Sequence, residues 1–146
     1  MSAFDHYLQA VLVRAAEEAR AESSATVEAH HVLLALAAGH DPVLAEAGLD
    51  RDALREALDR EFAHSLAAAG VTLPPTPPRS TPAPGSPGLG STAKAALDRG
   101  FAHAARKKDA RPAHVLLGIL LAEAGTVPRA LALAGIDRQA LIERLR

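Results

Sequence analysis

The run Gly85-Ser86-Pro87-Gly88-Leu89-Gly90-Ser91-Thr92 comes close to a phosphate-binding loop. Such a loop cradles phosphates with glycine amides and sends a lysine to the terminal phosphate. Here Ser91 stands where the lysine is needed, Pro87 removes an amide donor, and no strand pattern leads into the run. It reads as a linker tip at the start of a helix, so neither a nucleotide nor any other cofactor is expected. Seven histidines offer metal chemistry. His30 and His31 are adjacent, and on a helix they point about 100° apart and do not converge. No His-Glu-x-x-His pattern occurs. A surface metal site using His30 is the alternative to no metal site, and the expectation is none. His31 and His114 each open an apolar run, where the expected task is bonding to backbone groups near a helix end. No nucleophile–base pair is legible, so no residue is assigned a catalytic role and a hydrolase or NTPase is not supported. Arg106, Lys107, Lys108 and Arg111 form a basic cluster. It reads as a solvated helix end that complements the C-terminal dipole. The alternative is an anion or acidic-partner contact through Lys107, Lys108 and Arg111. A regulator linked to nucleic acid is a weaker reading, since no aromatics interleave with the cluster and the net charge is −1.

These residues sit on a duplicated scaffold. His31-Val32-Leu33-Leu34-Ala35-Leu36 returns as His114-Val115-Leu116-Leu117-Gly118-Ile119, shifted by 83. The stretch from Leu44 to Leu54 returns from Leu131 to Leu141, shifted by 87. Two copies of one helical unit, packed face to face with a groove between them, are the implied architecture. Apolar residues make up 49% of the chain but aromatics only 3%, so the core must be aliphatic, with helices approaching closely over alanines. There is no cysteine, which excludes a disulfide framework, a zinc finger and a thiol nucleophile. No apolar run is long enough to span a bilayer and no signal pattern opens the chain, so a cytoplasmic location is expected and a membrane partner is not.

Ser2 and Asp5 resemble a capping box ahead of a long helix, whose apolar face carries Leu8, Val11, Leu12, Ala15, Ala16 and Ala19. Glu22-Ser23-Ser24 ends it. A second helix runs from about His30 to Ala38. Asp41-Pro42 opens a third and Gly48 stops it, and Asp50 caps a fourth carrying Leu54, Leu58 and Phe62. From Val71 to Gly90 the chain holds seven of its ten prolines and reads as an extended linker. The pattern then restarts. Ser91 caps a helix with Leu97, Phe101 and Ala104 inward, Pro112 opens the next through Leu121, a short helix near Val127 ends at Gly135, and Asp137 caps the last. The predicted fold is all-α: an eight-helix pseudo-twofold bundle of two four-helix repeats, residues 1–69 and 91–146, joined by a linker at 70–90 and forming one domain.

Ala16-Glu17-Glu18-Ala19-Arg20, the polar loop after it, His31-Val-Leu-Leu-Ala-Leu and then Leu44-Ala-Glu-Ala-Gly-Leu-Asp50 together resemble the duplicated N-terminal domain of bacterial Clp (Hsp100) unfoldases of the ClpC and ClpA type. The resemblance implies an eight-helix domain without catalytic activity. In that family it receives protein substrates, adaptor proteins and macrocyclic peptide antibiotics ahead of an ATPase ring. The family pattern Thr-Glu-His before each apolar run is Ala29-His30-His31 and Pro112-Ala113-His114 here. The His is kept twice and the Glu lost twice, so neither copy can pair with phosphoarginine as some members do. The nucleotide-binding modules of an unfoldase do not follow Arg146, so the expectation is a stand-alone relative of the domain, an adaptor or a decoy that sequesters a toxic peptide, with a Clp ATPase or protease as a further partner. The resemblance places peptide contacts at Met1, Phe4, Gln9 and Val13 in the first repeat and at Leu89, Lys94, Asp98 and Phe101 in the second. A core role is the alternative for Phe4, Val13 and Phe101.

Overall fold

The computed structural model describes residues 2–70 and 87–146. Among them are eight α-helices: α1 (Ala3–Ala21), α2 (Ala29–Ala38), α3 (Pro42–Glu46), α4 (Arg51–Ala68), α5 (Ser91–Phe101), α6 (Pro112–Leu120), α7 (Thr126–Leu133) and α8 (Arg138–Leu145). Two short strands, β1 (Thr26–Val27) and β2 (Gly88–Leu89), pair in parallel, with Thr26 opposite Gly88 and Val27 opposite Leu89. The class is all-α, as the sequence predicts. Local chemistry accounts for most helix ends. Ser2 and Asp5 form a reciprocal capping box on α1. Asp50 accepts from the Ala53 amide at 2.8 Å and Asp137 from the Ala140 amide at 3.2 Å, one in each repeat. Gly48 and Gly135 follow α3 and α7 with φ of +74° and +73°, a left-handed backbone that glycine adopts without a Cβ clash.

α2 and α6 form the centre. Val32, Leu33, Leu34 and Leu36 on α2, and Val115, Leu116, Leu117, Ile119 and Leu120 on α6, are all buried in a single apolar cluster that draws on both repeats. Burying each such side chain contributes roughly 1.5–3 kcal/mol relative to leaving it in water. The repeats meet reciprocally. α2 packs on α5 as α1 packs on α6, and α4 packs on α7 as α3 packs on α8. Cross-repeat ion pairs fasten these seams: Glu61 of α4 with Arg129 of α7 at 2.9 Å, and Glu46 of α3 with Arg144 of α8.

Four sequence expectations need correction. Ser91 is the first residue of α5 and not its cap; the Thr92 amide is capped instead by the Glu28 carboxylate of the other repeat, at 3.2 Å. The far end of the expected extended linker, Gly88–Leu89, is a paired strand, because Val27 offers it an edge; the part at 71–86 lies outside the described residues. Phe62 is 55% exposed, because the buried side of α4 runs from Leu54 and Leu58 to Glu61 and leaves Phe62 outside it. α5 ends at Phe101, so the basic cluster does not cap its C-terminus; Lys107–Asp109 form a 3-10 turn that leads into α6.

Candidate functional site

α1 buries Val11, Ala15 and Ala19 against α2 and leaves Leu8, Leu12 and Ala16 half-covered. The adjoining stripe, with Asp5, Gln9, Val13 and Arg20, lines a shallow depression of about 740 Å³. Val13 is 57% exposed, the largest exposure among the big apolar side chains described. At the N-terminal end of α1, the Phe4 ring meets the Phe101 ring of α5 edge-on at 5.9 Å, and Tyr7 stands 6.1 Å from Phe4. That contact joins the first helices of the two repeats. Burial, and the charge of Asp41, push the Tyr7 hydroxyl up to about 12.

The other expected contact residues are distributed as follows. Gln9 and Val13 lie on the α1 depression. Leu89 is half-buried in β2, and Lys94 and Asp98 are exposed on α5. Met1 lies outside the described residues, as does the side chain of Lys107. Lys108 is exposed. Arg111 folds back to donate to the Lys108 and Ala110 carbonyls, and Arg106 pairs with Asp109 at 3.1 Å. The structure therefore brings Phe4 and Phe101 together, and it leaves Gln9, Val13, Lys94 and Asp98 open to solvent.

Residues 3–110 match the family model of the Clp repeat N-terminal domain. The chain belongs to the Clp repeat N-terminal domain family. The match covers the first repeat and continues through α5 to the turn before α6. No curated protein matches the chain significantly. This Clp repeat domain is thus a module of the type that binds protein substrates and adaptors. Among the described residues, no helix is long and apolar enough to cross a membrane.

In this Clp repeat domain sequence reasoning missed two polar clusters. The first lies between the repeats. The Glu28 carboxylate accepts from Thr26 Oγ1 at 2.7 Å, Thr92 Oγ1 at 2.7 Å and the Thr92 amide at 3.2 Å, while the Ala29 amide donates to Thr92 Oγ1 at 2.8 Å. Burial raises the Glu28 carboxyl, and the bonds from Thr26 and Thr92 outweigh it and hold the group below its ordinary range. A Cβ on Gly90, the N-cap of α5, would overlap this carboxylate and displace it from the bridge. A half-enclosed cavity of about 430 Å³ opens beside the bridge, bounded by Ser91 and Arg99 of α5 and by the α6–α7 connection at Ala124–Gly125.

The second cluster overturns the expectation that His30 and His31 point apart. Both reach Glu22 at the end of α1, and their ring centroids are 4.0 Å apart. His30 Nε2 lies 3.1 Å from Glu22 Oε1, and Arg55 of α4 approaches Oε2 at 3.3 Å. His31 Nε2 lies 3.2 Å from Oε2, close enough for charge attraction but without an aligned hydrogen bond. Burial raises the Glu22 carboxyl, and the His30 bond together with the close approach of both rings outweighs it and holds the group far below the usual range. The three ligand-bearing atoms are within 4.8 Å of one another, yet this is poor metal chemistry. His31 Nδ1 accepts the Glu28 amide proton at 2.8 Å, so the neutral ring carries its own proton on Nε2, the atom that would have to bind the ion. The expected backbone role of the two equivalent histidines is what the structure shows, for His114 Nδ1 likewise accepts from the Arg111 amide at 2.8 Å.

Proposed function

We propose that this chain is a non-enzymatic, cytoplasmic peptide- and protein-binding module, in which the two repeats act as one unit and hold polypeptide along the exposed faces of α1 and α5. The contact residues are Phe4, Gln9 and Val13, with Met1 ahead of them, and Leu89, Lys94, Asp98 and Phe101. The observation that supports this reading best is the Phe4–Phe101 contact beside the open apolar stripe of α1. It provides an aromatic anchor, an apolar strip for buried area, and a rim of Lys94 and Asp98 at i,i+4 spacing. Family membership supports protein substrates and adaptors as the partner class. Macrocyclic peptides are a finer proposal of the same kind, and so are the roles of adaptor or of decoy for a Clp protease. The nucleic-acid reading has less support, because Arg106 is paired and Arg111 is spent on carbonyl oxygens.

Calorimetric titration with an unfolded polypeptide and with a macrocyclic peptide tests the proposal. Val13→Glu should leave the fold intact, since the side chain is mostly exposed, and should weaken binding about tenfold or more, as a charge meets an apolar ligand face. Equal binding by wild type and Val13→Glu would remove α1 from the site.

A further inference from the structure

We propose that the turn at Glu28 is an acid-released clamp between the repeats, with His31 as its trigger. Its geometry is a chain of three contacts. The His31 ring, 0% exposed, holds the Glu28 amide through Nδ1. Residue 28 then sends its carboxylate across the seam to the Thr92 hydroxyl and amide at the start of α5. The Ala29 amide returns the contact to Thr92 Oγ1. In neutral His31 the acceptor nitrogen is Nδ1, so any additional proton must be placed there. A protonated Nδ1 faces the Glu28 amide with two N–H groups head to head, and the cap opens. Histidine side chains as a class change charge between about pH 5 and 8, and that sets the range of the test.

Charged groups face the ring from three elements. Glu22 at the end of α1 faces Nε2, His30 lies alongside on α2, and Arg55 of α4 holds Glu22 while also pairing with Asp59. Glu61 of α4 senses the His30 charge from further off. Among the described hydrogen bonds and ion pairs, α5 and α6 place no charged group on the ring. The imidazolium is therefore held by Glu22 while its other nitrogen can no longer hold the α2 terminus. The second repeat supplies an internal control. His114 caps Arg111 in the same way, but among the described residues the Arg111 side chain bonds only to carbonyls of its own repeat. Releasing that cap leaves the seam closed.

Amide hydrogen exchange on the intact chain tests the clamp. Between about pH 7.5 and 5.5, protection of the Glu28, Ala29 and Thr92 amides, corrected for intrinsic exchange, should fall roughly tenfold together, the scale of one lost hydrogen bond. His31→Gln keeps an acceptor for the Glu28 amide without titrating in this range and should abolish that fall; His114→Gln should not. Unchanged protection in wild type, or the same fall in His31→Gln, overturns the proposal. If His31→Gln does not fold, ring-nitrogen NMR on wild type decides. The Glu28 and Thr92 amides must shift with the midpoint at which His31 Nδ1 gains its proton, and a ring titration that leaves them unmoved refutes the clamp.

Discussion

The two repeats share one pattern and are fastened by different physics. In the first, α1 has 19 residues and packs on α2, with Ala15 and Ala19 of α1 and Ala35 of α2 all buried. Its polar contacts run to α4. Buried Glu18 takes Arg51 in a two-nitrogen contact at 2.8 and 3.0 Å, and Arg14 at 3.2 Å. The Arg51 bond is the main reason the Glu18 carboxyl is held low. In the second repeat α5 has only 11 residues. It gains area by closer approach, for Gly118 replaces Ala35 at the shift of 83 and meets Gly100. Arg138, the counterpart of Arg51 at the shift of 87, donates to the Leu120 carbonyl, with no carboxylate involved. A long helix can tolerate a wider crossing and add charge at its rim. A short one has to bring backbone to backbone.

The largest effect that separates the repeats comes from exchanging their crossing residues. A Cβ on Gly118 would overlap the Ala96 carbonyl oxygen and lie 2.7 Å from Gly100 N and 2.9 Å from its Cα. Neither neighbour is a flexible side chain, so Gly118→Ala should cost about 3 kcal/mol in urea unfolding. Ala35→Gly should cost about 1 kcal/mol, the helix propensity difference. Equal losses would mean that the crossings are alike. Next in size is the arginine pair. Arg51→Ala leaves a buried carboxylate with Arg14 alone and should cost about 2–3 kcal/mol, against about 1 kcal/mol for Arg138→Ala, which removes one hydrogen bond to a carbonyl.

Titration should sharpen the contrast further. The carboxyls held below their ordinary value of 4.5 are Glu18, Glu22, Glu28 and Glu61, all in the first repeat. A depressed carboxyl contributes stability that is complete above its unfolded value and lost as pH falls through its folded value. Below about pH 4.5, amides of α1 and α4 should therefore lose protection before those of α6 and α8. On the alkaline side, Tyr7 is raised, so its contribution is complete below pH 10 and lost as pH climbs through about 12, again in the first repeat. Simultaneous loss in both halves would show that the charges do not act locally.

Local features were legible in the sequence because their partners lie within a few residues. The capping box at Ser2, the Asp50 and Asp137 caps and the two left-handed glycines are of this kind. The duplication carried the reading through α6 to α8, beyond the stretch that the family model matches. What escaped was non-local. The cap of α5 comes from Glu28, 64 residues before Thr92. Glu61 has no local neighbour in sequence that signals burial, yet it is buried with Ser65 at 2.6 Å and Arg129 from the other repeat. His30 and His31 converge because the end of α1 delivers Glu22 between them, and helical spacing within α2 carries no trace of that. Phe62 follows Leu58 at core spacing, but the buried side of α4 continues through Glu61 and leaves Phe62 outside. At the candidate site, the family resemblance pointed to α1 and α5, and the ring contact between Phe4 and Phe101 required the packed bundle to appear.

The most direct measurement is an amide NMR titration of the intact chain with an unfolded polypeptide. Shifts should concentrate on Phe4, Gln9 and Val13 of α1 and on Lys94, Asp98 and Phe101 of α5, both helices saturating with one dissociation constant. Shifts confined to one helix, or gathered at Lys108 and Arg111, would contradict a surface shared by the two repeats.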